Sequence, residues 1–292
     1  MTVAAGEPGA WTVAAPIPVG DPATLLARLA TLAGPDQPVA LGVDFPIGLP
    51  RAFAARHVVT ADFPAFLRTL AADDAFFDVC ATTAELSGAR PFYPARGLAG
   101  MTRLSHAAAL GLPDAAALSR QCDRATPLRP AGAPLFWTLG ANQTGKAAIA
   151  AWRDMLLPAL TANFPIALWP FAGAFHDLLR PGRVVVAETY PAEAMRQLGL
   201  RMNGSKRRQA DRTALGPTLR ARMAAHGLQP DETMALAVEQ GFGADACGED
   251  RFDSLLGLLC VVAVCDRTRD APVPDDPWVS AWEGWVLGQS LR

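Results

Sequence analysis

The sequence predicts an α/β protein, and three observations support this prediction. Residues 39–44 and 184–188 are apolar runs of strand length, which is typical of strands buried on both faces of a sheet. Helical patterns lie before, between and after these runs, and such alternation favours a sheet covered by helices. Of the 292 residues, 51% are hydrophobic and 18% are charged, so the chain can bury a large core.

The remaining elements are predicted from periodicity and from turn residues. Asp21-Pro22 is a typical helix start, because aspartate caps the first free N–H groups and proline fits the first turn. Stretches 88–100 and 125–134 are rich in glycine, proline and arginine, which indicates long surface loops. The other predicted elements are strands over 11–19 and 135–139 and helices over 21–32, 63–70 and 146–160. We expect one domain over residues 1–292, with an insertion around 51–135.

Four carboxylates stand where a functional site is expected. Asp44 and Glu188 each close an apolar strand, and open α/β sheets bind ligands beyond the carboxyl ends of their parallel strands. Asp250 and Asp253 precede the apolar run 254–265 and share one helix face, because they are three residues apart. Carboxylates that converge without neutralising arginines raise each other's pKa, and binding of Mg²⁺ or Mn²⁺ relieves their repulsion. We therefore predict a divalent-metal site of the kind that serves two-metal phosphodiester hydrolysis.

Simpler roles are open for each acid taken alone. Glu249 or Asp250 can cap the helix and offset its positive N-terminal dipole. Asp44 and Glu188 can be turn or cap residues. The joint occurrence of these acids at two strand ends and one helix start favours the metal site.

One locally basic segment, residues 201–212, follows Glu188 in the chain. Lys206, Arg207 and Arg212 are predicted there to bind substrate by neutralising phosphates beside the metal site. The alternative is an ordinary solvated helix face. The net charge of −2 gives no general attraction to polyanions, so any contact with nucleic acid must be local.

A second phosphate-binding pattern lies in mid-chain. From Gly140 to Lys146 the sequence reads G-x-x-x-x-G-K, between a predicted strand and a predicted helix. In a phosphate-binding loop, backbone N–H groups surround the phosphates and the lysine contacts their terminal oxygens. The hydroxyl residue that usually follows the lysine is replaced by Ala147. A P-loop-like nucleotide-binding protein is therefore the least favoured alternative. Lys146 is still predicted to bind a substrate phosphate at its helix start, against the simpler role of a solvated lysine.

Four segments resemble a known family and occur in its order. They are residues 42–50 (GVDFPIGLP), 187–193 (AETYPAE), 204–207 (GSKR) and 248–253 (GEDRFD). From about Trp11 to Gly288 the chain resembles the ribonuclease H-like predicted nucleases of domain-of-unknown-function family 429. The resemblance implies a ribonuclease H-like mixed sheet flanked by helices, with long loop insertions. Asp44 would end a central strand, Glu188 the next, and Asp250 or Asp253 would lie on the closing helix. The implied function is a Mg²⁺- or Mn²⁺-dependent nuclease, with nucleic acid or a nucleotide as its substrate.

The chain departs from this family at its beginning. Members typically open with a strand whose Asp-Trp-Ser-like motif supplies the central metal-binding carboxylate. Here the sequence begins Met1-Thr2-Val3, and the first aspartate is Asp21. We hypothesise that the start codon is assigned too far downstream, and a native chain beginning at Met1 or Thr2 would contradict this. The alternative is an inactive member that only binds nucleic acid or a nucleotide.

Other classes of protein lack support in the sequence. The longest apolar run, 255–265, is shorter than the roughly 20 residues that span a bilayer, and no signal-peptide pattern precedes the first strand. A cytoplasmic protein without a membrane partner is therefore expected. The five cysteines show no C-x-x-C spacing, the four histidines are scattered, and no G-x-S-x-G or H-E-x-x-H motif occurs. Disulfides, zinc sites and serine hydrolase triads are not predicted.

Overall fold

The computed structural model describes residues 1–97, 100–127, 129–140 and 143–291, and it shows an α/β protein. The strands are β1 (Ala4–Glu7), β2 (Ala10–Val13), β3 (Val39–Val43), β4 (Ile166–Leu168), β5 (Val184–Glu188) and β6 (Leu228–Pro230). The α-helices are α1 (Pro22–Ala33), α2 (Arg51–His57), α3 (Phe63–Arg68), α4 (Arg103–Ala109), α5 (Thr144–Ala151), α6 (Leu157–Thr161), α7 (Phe175–Leu178), α8 (Pro191–Gln197), α9 (Gln209–Ala225), α10 (Glu232–Glu239) and α11 (Gly248–Cys265). Short 3-10 turns connect them, and π-helical turns cover Trp152–Leu156 and Val279–Glu283.

In the described ranges, the strands form two small sheets of three strands each. In one sheet, β1 and β2 make an antiparallel hairpin, and β6 adds parallel to β2. In the other, β3 and β4 flank β5 and all three strands are parallel. Every residue of β5 is buried, as expected for a strand covered on both faces. Thus β5 is the centre of this sheet and β3 lies at its edge, whereas the family resemblance implied that Asp44 ends a central strand.

Helix α11 is the apolar helix that the sequence places after Asp253. A Cβ added at Gly42 of β3 would lie 2.7 Å from the Val261 side chain, so glycine allows this helix to approach the strand closely. One turn earlier, Gly257 faces Thr189 just after the end of β5. Since each helical turn advances 5.4 Å, the first turn of α11 projects beyond the carboxyl ends of the strands.

Aspartate caps start several of these helices. The carboxylate of Asp21 accepts a hydrogen bond from the Ala23 N–H at 3.0 Å, and that of Asp62 accepts one from the Ala65 N–H at 2.7 Å. Each Asp precedes a helix with proline in its first turn. The sequence signal at residue 21 therefore correctly predicted the start of α1.

Most of the predicted elements are confirmed. Helix 21–32 corresponds to α1, helix 63–70 to α3, and helix 146–160 to α5, the π-helical turn and α6. Strand 184–188 is β5, and strand 39–44 is β3, which ends one residue before Asp44. The strand predicted over 11–19 ends at Val13, because Pro16 and Pro18 have no N–H to donate to a neighbouring strand.

The strand predicted over 135–139 is wrong. Its backbone forms a turn with an isolated bridge between Trp137 and Tyr93. Phe136 is buried because its ring contacts those of Phe53 and Phe92, at centroid distances of 4.6 and 5.2 Å. These apolar residues anchor a turn to the core, and a short apolar run does not distinguish that role from a strand.

Residues 51–135, which were predicted as an insertion, contain α2, α3, α4 and several 3-10 turns. Within the described part of this stretch, no segment forms one of the named strands. Among all described residues, no helix is both long enough and apolar enough to cross a membrane.

Candidate active site

A cleft of about 550 Å³ lies at the carboxyl ends of β3 and β5. Its lining includes all four predicted carboxylates, together with other acidic and basic side chains. The acidic residues are Asp44, Asp123, Glu188, Glu249, Asp250 and Asp253, and the basic residues are Arg120, Arg129, Lys206 and Arg207. Strand-end and helix-face reasoning thus brought the four predicted acids to one place, although it did not identify their partners.

Strand register fixes the floor of the cleft. Val43 pairs directly with Glu188 across the parallel β3 and β5, so Asp44 follows one residue later at the same edge. The N–H of Thr189 donates to the Val43 carbonyl at 2.8 Å and holds the two strand ends together. Asp250 and Asp253 enter the cleft from the first turns of α11.

The loop after Asp44 is anchored by hydrogen bonds at Pro46, Ile47 and Leu49. The Ile47 N–H donates to Glu188 Oε2 at 2.9 Å, and the Leu49 N–H donates to the Trp282 carbonyl at 2.7 Å. The indole N–H of Trp152 donates to the Pro46 carbonyl at 2.8 Å. Each bond satisfies a main-chain group at the edge of the core, so this loop is a rigid wall of the cleft.

Glu188 does not offer free oxygens to the cleft. Arg120 donates to Glu188 Oε2 at 2.6 Å and to Oε1 at 2.7 Å, while its other donors bind Asp123 at 2.9 and 3.0 Å. Arg120 is 1% exposed, so one guanidinium neutralises two carboxylates within the protein. Burial raises the pKa of Glu188, and the Arg120 charge opposes that rise. The prediction that the acids meet without a neutralising arginine is therefore wrong for Glu188.

Asp44 is in the opposite situation. Its side chain is exposed to the cleft, and within the described residues no hydrogen bond or ion pair reaches its carboxylate. Although Asp44 has accessible surface, the protein that surrounds it in the cleft limits its hydration and raises its pKa to about 7, and the nearby charge of Asp253 adds to this rise. Lys206 opposes the rise, while Glu188 and Asp250 contribute to it. Asp44 thus lies where negative charge exceeds the available positive charge.

Lys206 lies beside two acids of α11, Asp253 and Glu249. The Lys206 ammonium lies 2.5 Å from Asp253 Oδ2 and 4.0 Å from Glu249 Oε1. The other oxygen of Asp253, Oδ1, is buried and has no hydrogen-bond partner. Burial raises the pKa of Asp253, and Lys206 partly offsets that rise. Asp250 is exposed to the cleft and has no ion pair among the described residues.

The predicted substrate-binding cations lie in different environments. Lys206 and Arg207 line the cleft, and the Arg207 guanidinium is 3.7 Å from Glu249 and two-thirds exposed. Arg212 is buried, and its guanidinium donates to the main-chain carbonyls of Lys206, Gly241 and Gly243. Because these carbonyls occupy its donors, Arg212 positions the chain around Lys206, and the predicted direct contact with substrate is wrong.

Lys146 is exposed in the first turns of α5, but it does not belong to the lining of the cleft. In the predicted phosphate-binding loop Gly140–Lys146, Ala141 and Asn142 lie outside the described residues. The stretch before this loop forms a turn rather than the strand that a phosphate-binding loop requires. Nothing in the described part of the loop favours a nucleotide site there.

Several cleft residues were missed from the sequence. Arg120 precedes a 3-10 turn (Gln121–Asp123) and Asp123 ends it, and no periodic signal in this segment indicates its contact with distant Glu188. Arg129 lies 3.8 Å from Glu193, and its guanidinium lies over the Tyr190 ring at 6.0 Å. Tyr190 belongs to the segment AETYPAE that carries Glu188. Its closeness to Glu188 in the sequence could have predicted that it lines the cleft.

The donor chemistry of the cleft fits a hard divalent cation in part. Asp44 and Asp250 line it without ion pairs among the described residues, Asp253 lines it with one unpartnered oxygen, and carboxylate oxygens are the ligands that Mg²⁺ and Mn²⁺ prefer. Glu188 does not fit, because Arg120 and the Ile47 N–H occupy its oxygens. Across the described ranges, no three acidic, histidine or cysteine side chains lie close enough together to hold an ion as they stand.

A second cleft, of about 680 Å³, lies apart from these acids. Its apolar wall includes Trp169 and Phe175, and its charged residues are Asp177, Arg267, Arg269 and Asp270. The two acids balance the two arginines. This cleft therefore lacks the excess of one charge that distinguishes the first.

No family model matches the chain, and comparisons with curated proteins and with solved structures likewise give no match. The family resemblance drawn from the four sequence segments therefore stays a prediction.

Proposed function

We propose that the protein is a divalent-metal-dependent nuclease that hydrolyses phosphodiester bonds of nucleic acid or a nucleotide. The observation that carries this proposal is the group of three carboxylates, Asp44, Asp250 and Asp253, that line one cleft, the first two without an ion pair among the described residues. Acidic side chains outnumber basic ones there, and the pKa of Asp44 is raised first by limited hydration and second by the charge of Asp253. A bound divalent cation would relieve this repulsion.

Asp44, Asp250 and Asp253 are the residues that would hold Mg²⁺ or Mn²⁺. The ion, when bound, supplies Lewis-acid stabilisation and a water of lowered pKa for attack on phosphorus. Glu188 has a positioning role in this proposal: through Arg120 and the Ile47 N–H it fixes the loop that follows Asp44. Carboxylates that are held rigidly need less reorganisation when they bind a cation.

The basic residues at the edge of the cleft would bind the substrate. Lys206 and Arg207 line the cleft beside Glu249, and Arg129 lines it beside Tyr190. Such cations bind backbone phosphates, and this binding weakens as salt rises. The proposed substrate therefore meets cations at the edge of the cleft and carboxylates at its floor.

We also propose a ribonuclease H-like architecture, on narrower grounds. Parallel β3 and β5 end in register on Asp44 and Glu188, and α11 carries Asp250 and Asp253 past those strand ends. This order of acids along strand, strand and closing helix is the one that the sequence resemblance implies.

A non-catalytic protein that binds nucleic acid or a nucleotide is the second candidate. Two observations favour it: Arg120 already neutralises Glu188, and Lys206 already pairs with Asp253. Such a protein would bind phosphates at the edge of the cleft without metal and would cleave nothing.

A cleavage assay distinguishes the two candidates. We expect the full chain with Mn²⁺ to cleave at least one of four labelled substrates, single-stranded DNA, duplex DNA, RNA or an RNA–DNA hybrid. Asp253→Asn should slow this cleavage by at least about 100-fold, because removal of a metal ligand costs more than removal of its supporting residues. Gel electrophoresis of the products at several Mn²⁺ concentrations measures the rates.

Asp245→Asn is the matched control. Asp245 lies just before α11, is 59% exposed and pairs with Arg251 at 2.9 Å, so its loss leaves the cleft unchanged. Cleavage by this variant should equal that of the wild type. Binding of the same substrates without Mn²⁺-dependent cleavage would support the second candidate, and equal cleavage by Asp253→Asn would contradict the proposed site.

A further inference from the structure

Lys206 occupies a position between the acids of α11. Its ammonium is 2.5 Å from Asp253 and 4.0 Å from Glu249, and its side chain is 24% exposed. Its charge also acts on Asp44. Lys206 is the ion-pair partner of Asp253, whereas Glu249 also has Arg207 at 3.7 Å.

The main chain around Lys206 is fixed, whereas its side chain is long and flexible. The Lys206 carbonyl accepts a hydrogen bond from buried Arg212, and the neighbouring Ser205 N–H donates to Asp211 at 2.8 Å. The ammonium, in contrast, is held by Asp253 and is partly open to the cleft. A lysine side chain in such a place can change rotamer without disturbing the fold.

The charges around Lys206 indicate that its ammonium lies where a divalent cation would bind. Four acids, Asp44, Glu249, Asp250 and Asp253, lie beside two cations of the cleft, Lys206 and Arg207, and Asp253 Oδ1 still lacks a partner. A divalent cation bound by Asp253 would compensate more of this charge, and it would repel an ammonium a few ångströms away. An ion on Asp253 Oδ1 would lie a few ångströms from the ammonium on Oδ2, and this repulsion favours movement of the flexible lysine side chain away from Asp253.

We propose that Lys206 is a displaceable internal counter-ion of the metal site. Without metal, its ammonium neutralises Asp253. A divalent cation that binds Asp253 displaces the ammonium toward the edge of the cleft, where it is free to contact a substrate phosphate. This inference rests on the proposed metal site.

The test measures binding of Mn²⁺ alone. Calorimetric titration of the full chain at pH 8 should show that Lys206→Met binds Mn²⁺ at least tenfold more tightly than the wild type, because no ammonium must be displaced. Lys206→Arg keeps the charge and should bind no more tightly than the wild type. Arg207→Gln removes a charge at the edge that is 3.7 Å from Glu249, and it should change the affinity less than about threefold.

A second measurement compares the thermal stability of Lys206→Met with that of the wild type. Lys206→Met leaves Asp253 uncompensated, so saturating Mn²⁺ should raise its Tm by more than it raises that of the wild type. Equal or weaker Mn²⁺ binding by Lys206→Met, with saturable binding by the wild type, overturns the displacement while leaving the metal site intact. Saturable binding by none of the proteins overturns both the metal site and the displacement.

Discussion

We expect Arg120→Met to lower the free energy of unfolding by about 3–5 kcal/mol. Arg120 is 1% exposed and bridges Glu188 and Asp123 through paired hydrogen bonds, so its removal leaves two acids without their counter-ion, the first of them buried. It also donates to the carbonyls of Ile47 and Glu283, at 3.3 Å each. The turn, the strand end and the loop after Asp44 would lose their common anchor. Urea unfolding, followed by tryptophan fluorescence, measures the change.

Arg153→Met is the control for this variant. Arg153 pairs with Asp154 at 2.7 Å, but both side chains are 39% exposed. Exposed pairs contribute little, so the control should change the free energy of unfolding by less than about 1 kcal/mol. If Arg120→Met cost no more than the control, the buried bridge would not hold the cleft together.

Gly48→Ala is expected to destabilise the protein by about 2–6 kcal/mol. Gly48 has a φ of 136°, which residues with a side chain rarely adopt, and an added Cβ would lie 2.2 Å from the Glu283 carbonyl oxygen. That oxygen belongs to the main chain and cannot move aside as a side chain would. The variant should also disturb the loop that carries Ile47 to Glu188.

Gly173→Ala separates the cost of the backbone conformation from the cost of the steric overlap. Gly173 has a φ of 121° but no atom within 4 Å of an added Cβ, so this variant carries the backbone cost without the overlap. It should cost about 1–3 kcal/mol. Thermal unfolding of both variants gives the comparison. An equal loss of stability would show that the overlap between the added Cβ at position 48 and the Glu283 carbonyl oxygen adds no cost.

The sequence predicted the site-forming elements well because they carry local signals. A valine-rich strand, a capped amphipathic helix and a long apolar helix can each be recognised within a window of fewer than twenty residues. The acids at their ends then follow from the geometry of parallel strands. Strands β1, β4 and β6 were missed, since each has only three or four residues and too few positions to show a period.

Pairing between distant side chains could not be predicted in this way. Arg120 meets Glu188 across 68 residues, and Lys206 meets Asp253 across 47. Neither pair has a periodic signature, because loop closure and core packing decide which charges meet. The predicted site was therefore a set of unpaired acids, whereas the structure shows one acid neutralised by arginine and one paired with lysine.

Arg212 shows that the sequence also did not distinguish a buried basic residue from exposed ones. A cluster of basic residues indicates phosphate binding when its members are exposed, but Arg212 is 2% exposed and binds main-chain carbonyls. Its neighbours Lys206 and Arg207 line the cleft. Burial, which the sequence did not reveal for this segment, separates the structural arginine from the other two.

Calorimetric titration of Mn²⁺ into the full wild-type chain and into Asp44→Asn tests the metal site most directly. At pH 8 Asp44 is mostly ionised, because its pKa is raised only to about 7. Saturable binding by the wild type that weakens by at least about 100-fold in Asp44→Asn is the predicted result. Absence of saturable binding by the wild type, or equal binding by both proteins, would contradict a metal site at these carboxylates.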